Sequence, residues 1–133
     1  MEINLNSYQK LLLTFFCFSI AIIAFMIKLP SVFRNYDKEL HSMFYFGAAL
    51  FLNVLFIKRH LFIFIFLFLF GVAIEFSQQY SNKFFTKRIH GRFDIEDVYS
   101  NVKGLLLFSA IWNIIHFVSY LVKKNKINPL QNY

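Results

Sequence analysis

Asp97, Asn101 and Gly104 stand at i, i+4 and i+7, so a helix through them carries all three on one face. Asp37, His41 and Tyr45 stand at i, i+4 and i+8, and Gly71, Glu75 and Gln78 at i, i+4 and i+7. These are the types that proton transfer and anion binding use. Asp97 or Glu75 would serve as a general base, and His41, of a type that titrates near neutrality, as an acid. Arg92, Lys38 and His41 would hold an anion, the arginine offering a planar fork of donors to phosphate oxygens. Asp37, Tyr45, Gln78, Asp94 and Asn101 complete the candidate binding set. A divalent ion on Asp94, Asp97, Glu75 and His41 is chemically conceivable, but the spacing matches no compact ligand motif. No metal ligand is therefore assigned, and any cofactor is left open.

Elements that could position these residues are almost purely apolar. The chain has 133 residues, 58% hydrophobic, with 20 Phe and a net charge of +7. Soluble domains average about 45–50% apolar residues. Here the excess lies in blocks of the length that crosses a bilayer. We expect one all-α domain over residues 1–133, an integral membrane bundle of four transmembrane helices. The spans are placed at about 11–29, 40–57, 61–80 and 102–122, with a basic tail at 123–133. No small-x-small cleavage site follows the apolar run of the first block before Pro30, so it is read as a retained helix. Pro30 ends it, and Lys58-Arg59-His60 is a tight turn between neighbouring antiparallel spans. Asp94 is expected to cap the last helix, with Asp97 three residues on in an acidic variant of the capping box.

Several chemistries are excluded or disfavoured. Cys17 stands alone, so no disulfide forms within the chain. There is no internal repeat, no Gly-rich phosphate loop, no G-x-S-x-G and no H-E-x-x-H. The basic residues lie between and after the apolar blocks, where they anchor spans to headgroups. No basic helix is interleaved with stacking aromatics outside those blocks, so nucleic acid is not a partner.

Four crossings bring the starts of spans two and four and the end of span three to one membrane face. The three polar groups should therefore converge. Glu75 lies about 14 residues beyond Leu61, some 21 Å along a helix, below the interface rather than at mid-membrane. A carboxylate there should face the bundle and pair with a donor, for which Arg92, His41 and Lys38 are candidates. Asn53 and His116 read as polar contacts between helices. Of the 14 basic residues, six fall on the side of the termini and eight on the other, so counting does not orient the chain. The Lys-Arg turn and the tail Lys123, Lys124 and Lys126 look like anchors, which favours cytoplasmic termini.

Asp37-Lys38-x-x-His41-x-x-x-Tyr45, Gly71-x-x-x-Glu75-x-x-Gln78 and Arg92-x-Asp94-x-x-Asp97-x-x-x-Asn101-x-x-Gly104 resemble, in order and spacing, the three motifs of the VanZ-like family. The likeness covers roughly residues 36–122, and Lys103 before the glycine departs from it. The resemblance implies a small bacterial multi-pass protein of the cell membrane and envelope. The family is named for a protein linked to teicoplanin resistance, and the resemblance supplies no reaction.

Two readings follow. In one, the polar face binds or modifies an anionic envelope lipid, a polyprenyl phosphate or a phospholipid headgroup. In the other it is a non-catalytic docking or regulatory surface for another membrane protein, with the charges holding the bundle together. Whether the chain is an enzyme stays open, because no nucleophile–base pair is evident. A proton-coupled transporter fits less well, since four short spans leave little room for alternating halves.

Overall fold

The computed structural model describes residues 5–27, 30–84 and 92–127. Lys28 and Leu29 at the end of the first expected span, Lys87 and Arg88 in the basic loop, and Pro129 and Asn132 in the tail lie outside them. The described residues form four α-helices: α1 Ser7–Met26, α2 Asp37–Leu55, α3 His60–Ser81 and α4 Ile95–Ile127. A 3-10 turn over Arg34–Tyr36 leads into α2. Consecutive helices run antiparallel, so α2 and α4 are parallel neighbours: His41 meets Asn101 near their starts, and Phe46 meets Phe108 further along.

α1 begins four residues earlier than the apolar block. Asn6 accepts a hydrogen bond from the Gln9 backbone N–H (2.8 Å) and donates its own to the Gln9 side chain (3.0 Å), a complete capping box. The helix stops at Met26 because Ile27 is already extended. α1 buries only Ala21. It touches the bundle through Phe18, edge-on to Phe66 and Phe70, and Phe25, edge-on to Phe44.

α3 carries its core contacts on one stripe, Ile63, Leu67, Gly71 and Ile74, at i, i+4, i+8 and i+11. The rest of its circumference, including Leu61, Phe62, Ile65 and Leu69, is exposed, as expected of a helix facing lipid. α2 is the inner helix. Tyr45, Ala49 and Leu52 meet Ile63, Leu67, Leu105 and Phe108 in one apolar core.

Three helices, α1, α3 and α4, are long and apolar enough to cross a membrane. α2 is not among them. Its first turns hold Asp37, Lys38, Glu39 and His41, and small or polar residues (Gly47, Ala48, Ala49, Asn53) follow. Of these, His41, Ala49 and Asn53 are buried against the bundle. α4 starts at Ile95, directly after the expected cap Asp94, and runs 33 residues, past both ends of the apolar stretch at 102–122. Its first two turns turn Asp97, Val98 and Asn101 inwards and Glu96 and Tyr99 outwards. Lys103 points outwards, so the helix passes it without a break. An outward position explains how a lysine is tolerated before a buried glycine.

At the far end from these polar residues, Asn53 is wholly buried and bonds the Ala49 carbonyl and His60 Nδ1 (2.9 Å). His60 stacks on Trp112. His116, expected between helices, is exposed and instead packs against Trp112 of its own helix. One turn separates the two residues, so the contact needs no neighbouring helix.

Candidate functional site

Helices α2, α3 and α4 each present a polar group to the same end of the bundle. α2 contributes Asp37, His41 and Tyr45, α3 contributes Glu75, and α4 contributes Asp97 and Asn101. Exposure falls to 5% at His41, 0% at Tyr45, 2% at Glu75, 8% at Asp97 and 2% at Asn101. Five polar side chains thus enter an otherwise apolar interior, where each must find a partner or carry a cost.

Two glycines make this approach possible. A Cβ on Gly104 would overlap the backbone carbonyl oxygen of Ser42, so α2 and α4 touch main chain to main chain there. Ser42 Oγ donates to the Ser100 carbonyl at 2.8 Å one turn away, locking the register. A Cβ on Gly71 would come within 2.8 Å of Asn101 Nδ2 and 3.0 Å of Tyr45 Oη. Gly71 therefore leaves the room into which the amide and the phenol fit.

The centre is His41. Its Nδ1 lies 2.8 Å from Asn101 Oδ1. A carbonyl oxygen only accepts, so Nδ1 carries the proton and Nε2 presents its lone pair when the ring is neutral. Nε2 lies 3.9 Å from Asp37 Oδ1. One ligand atom each from Asp37, His41 and Asp97 lie within 4.8 Å of one another.

Among the described residues Glu75 finds no side-chain donor of the kind expected for it. Its Oε2 accepts the Asp94 backbone N–H at 3.3 Å, and Oε1 has no hydrogen-bond partner. Asp94 caps α4 as expected, Oδ1 accepting the Glu96 N–H at 2.8 Å. The reciprocal half of the capping box differs: Glu75, not Asp97, takes the N–H of Asp94. Asp97 is thereby left to turn inwards.

Lys38 pairs with Glu96, an exposed tie between α2 and α4. Arg92 is exposed, and among the described residues no ion pair joins it to Glu75. Gln78 is turned to α1, donating to the Phe25 carbonyl at 2.8 Å, which makes it a brace between helices. The structure thus brings together Asp37, His41, Tyr45, Glu75, Asp94, Asp97 and Asn101. It sets Lys38 and Arg92 at the rim and Gln78 to one side. Sequence reasoning missed Glu96 as the partner of Lys38 and Ser42 as a tie to α4. Lys38 and Glu96 are remote in sequence, and a serine in a helix carries no distinctive spacing.

Comparison with family models, with curated proteins and with solved structures found no match.

Proposed function

We propose that this chain is a VanZ-like protein of the bacterial cell membrane whose polar end receives the anionic headgroup of an envelope lipid. A polyprenyl phosphate or a phospholipid fits. In this reading α2 is a fourth crossing and the termini are cytoplasmic. The observation that carries the proposal is the gathering of polar residues from α2, α3 and α4 at one end of a bundle whose outer surface is apolar. A lipid reaches such a site sideways, its tails along the exposed Leu and Phe surface and its headgroup at Arg92 and Lys38. Glu75, Asp97 and His41 would then handle any proton transfer, and an effect on teicoplanin susceptibility would follow from changed envelope lipid.

The test is a thermal-shift titration of the detergent-purified chain with a short-chain dialkyl phosphate against an uncharged diacylglycerol of equal chain length. Stabilisation by the phosphate alone, lost in Arg92→Ala, supports the reading. Equal stabilisation by both contradicts it.

A second reading has its own support. Lys38 to Glu96, Ser42 to Ser100, Glu75 to Asp94 and Gln78 to Phe25 are all ties between helices. On that reading the polar end is structural and docks another membrane protein. Asp97→Asn separates the two: loss of lipid response with unchanged melting supports the first, and lowered melting with unchanged lipid response the second.

A further inference from the structure

We propose that Asp37, His41 and Asp97 form a site for one divalent metal ion, zinc or manganese in type, with Glu75 at its edge. It deepens the headgroup reading, and rests on that reading only for what the ion would do, not for whether it binds.

Geometry comes first. Metal–ligand bonds of about 2.1 Å put ligand pairs roughly 3.0–4.2 Å apart. His41 Nε2 and Asp37 Oδ1, at 3.9 Å, are already inside that window and too far apart for a hydrogen bond. The whole set lies within 4.8 Å, so closing it tetrahedrally round an ion, with pairs about 3.4 Å apart, draws its most distant atoms together by up to about 1.4 Å.

A second observation is independent of the three ligands. Metal-bound histidines donate the distal ring N–H to a carbonyl or carboxylate, which fixes the ring and its tautomer. Asn101, on a different helix, does this to His41 Nδ1 at 2.8 Å and leaves Nε2 free, facing Asp37 at 3.9 Å.

The third is an imbalance of charge and of hydrogen bonds. Asp97 and Glu75 are buried, with Asp37 and Asp94 half-buried beside them. Lys38 is committed to Glu96, on the outside. Glu75 Oε1 is buried without a partner, in a side chain that interacts electrostatically with both Asp97 and His41. Buried carboxylates are kept by pairing with a cation. One imidazole with two or three carboxylates is a donor set for zinc or manganese. Such an ion would also explain how a site this acidic takes a phosphate, since a phosphate oxygen could complete its coordination.

The experiment uses the full chain in detergent, stripped with chelator and then titrated with Zn²⁺ alone, without added lipid. Wild type should bind one ion per chain. Asp37→Asn, His41→Gln and Asp97→Asn should each weaken binding at least about tenfold, and Asn101→Leu by about 10–100-fold through the loss of ring orientation. Glu39→Gln, on an exposed carboxylate of the same helix, should leave affinity unchanged. Helical circular dichroism and elution volume check each variant. If Asp97→Asn fails to fold, Asp37→Asn decides, because that carboxylate is 44% exposed. Binding by wild type no tighter than by Asp37→Asn, or weakened as much by Glu39→Gln, overturns the proposal. Zinc failing to bind where the phosphate lipid still does would remove the ion and leave the headgroup reading. Zinc binding without any lipid response would do the reverse.

Discussion

Asn101 Oδ1 accepts the ring N–H of His41 at 2.8 Å, across the α2–α4 interface and fully out of solvent. That bond fixes which nitrogen of the imidazole is free, and the free one faces Asp37. Removing the acceptor strands a buried donor, which costs about 1–3 kcal/mol. Asn101→Leu should lower the melting temperature in detergent accordingly. An unchanged melting temperature would mean that the bond contributes nothing.

The three glycines of the described helices should respond differently to alanine. At Gly104 the new methyl meets the Ser42 backbone, which cannot step aside, so α2 and α4 must separate. Overpacking of this kind costs about 1–3 kcal/mol or more. At Gly71 the methyl meets two side-chain ends, Asn101 Nδ2 and Tyr45 Oη, so the site should be disturbed more than the fold. At Gly47 nothing lies within 4 Å, and alanine should stabilise the helix by up to about 1 kcal/mol. Melting curves of the three variants check the order Gly47→Ala above wild type, then Gly71→Ala, then Gly104→Ala.

Asn53 and His60 offer a control at the other end of the bundle. Asn53→Leu removes the bonds to His60 and to the Ala49 carbonyl. It should destabilise by about 1–3 kcal/mol yet leave lipid and zinc binding at the polar end intact. Loss of binding in this variant would show that stability and site cannot be separated.

Lys38 and Glu96 are both more than half exposed or close to it, at 50% and 62%. Exposed pairs couple by about 0–1 kcal/mol and weaken with salt. A double-mutant cycle with Lys38→Ala and Glu96→Ala should stay within that range. If the headgroup reading holds, Lys38→Ala should still weaken the response to phosphate lipid.

Much of this site was legible because helical periodicity is a strong constraint. Asp97, Asn101 and Gly104 are all buried, as one face requires, and so are His41 with Tyr45 and Gly71 with Glu75. Antiparallel order then brought the three groups to one end. Periodicity does not say which partner a side chain chooses. Glu75 takes the Asp94 N–H rather than an arginine, and Gln78 braces α1. Nor does spacing along the chain reveal a ligand set split between residues 37, 41 and 97, since only the contact of α2 with α4 assembles it. Nor does apolar content along α2 separate contact with lipid from contact with the bundle. Much of it is core, with Tyr45, Ala49, Leu52 and Leu55 buried.

Sidedness is open to direct labelling. In a Cys17→Ala background, single cysteines replacing Lys38, Arg59 and Arg92 would be probed with an impermeant maleimide on intact cells and on lysed cells. Four crossings predict that positions 38 and 92 label together from outside and position 59 only after lysis. Labelling of 38 and 59 from the same side would show that α2 does not cross.

The central claim, that the polar end holds an anionic lipid headgroup, is tested most directly by native mass spectrometry. Wild type, Arg92→Ala and Asp97→Asn would be purified in mild detergent and the retained lipids identified. The account predicts a polyprenyl phosphate or an anionic phospholipid held by wild type and lost from Arg92→Ala. The same unselective mixture on all three proteins would contradict it.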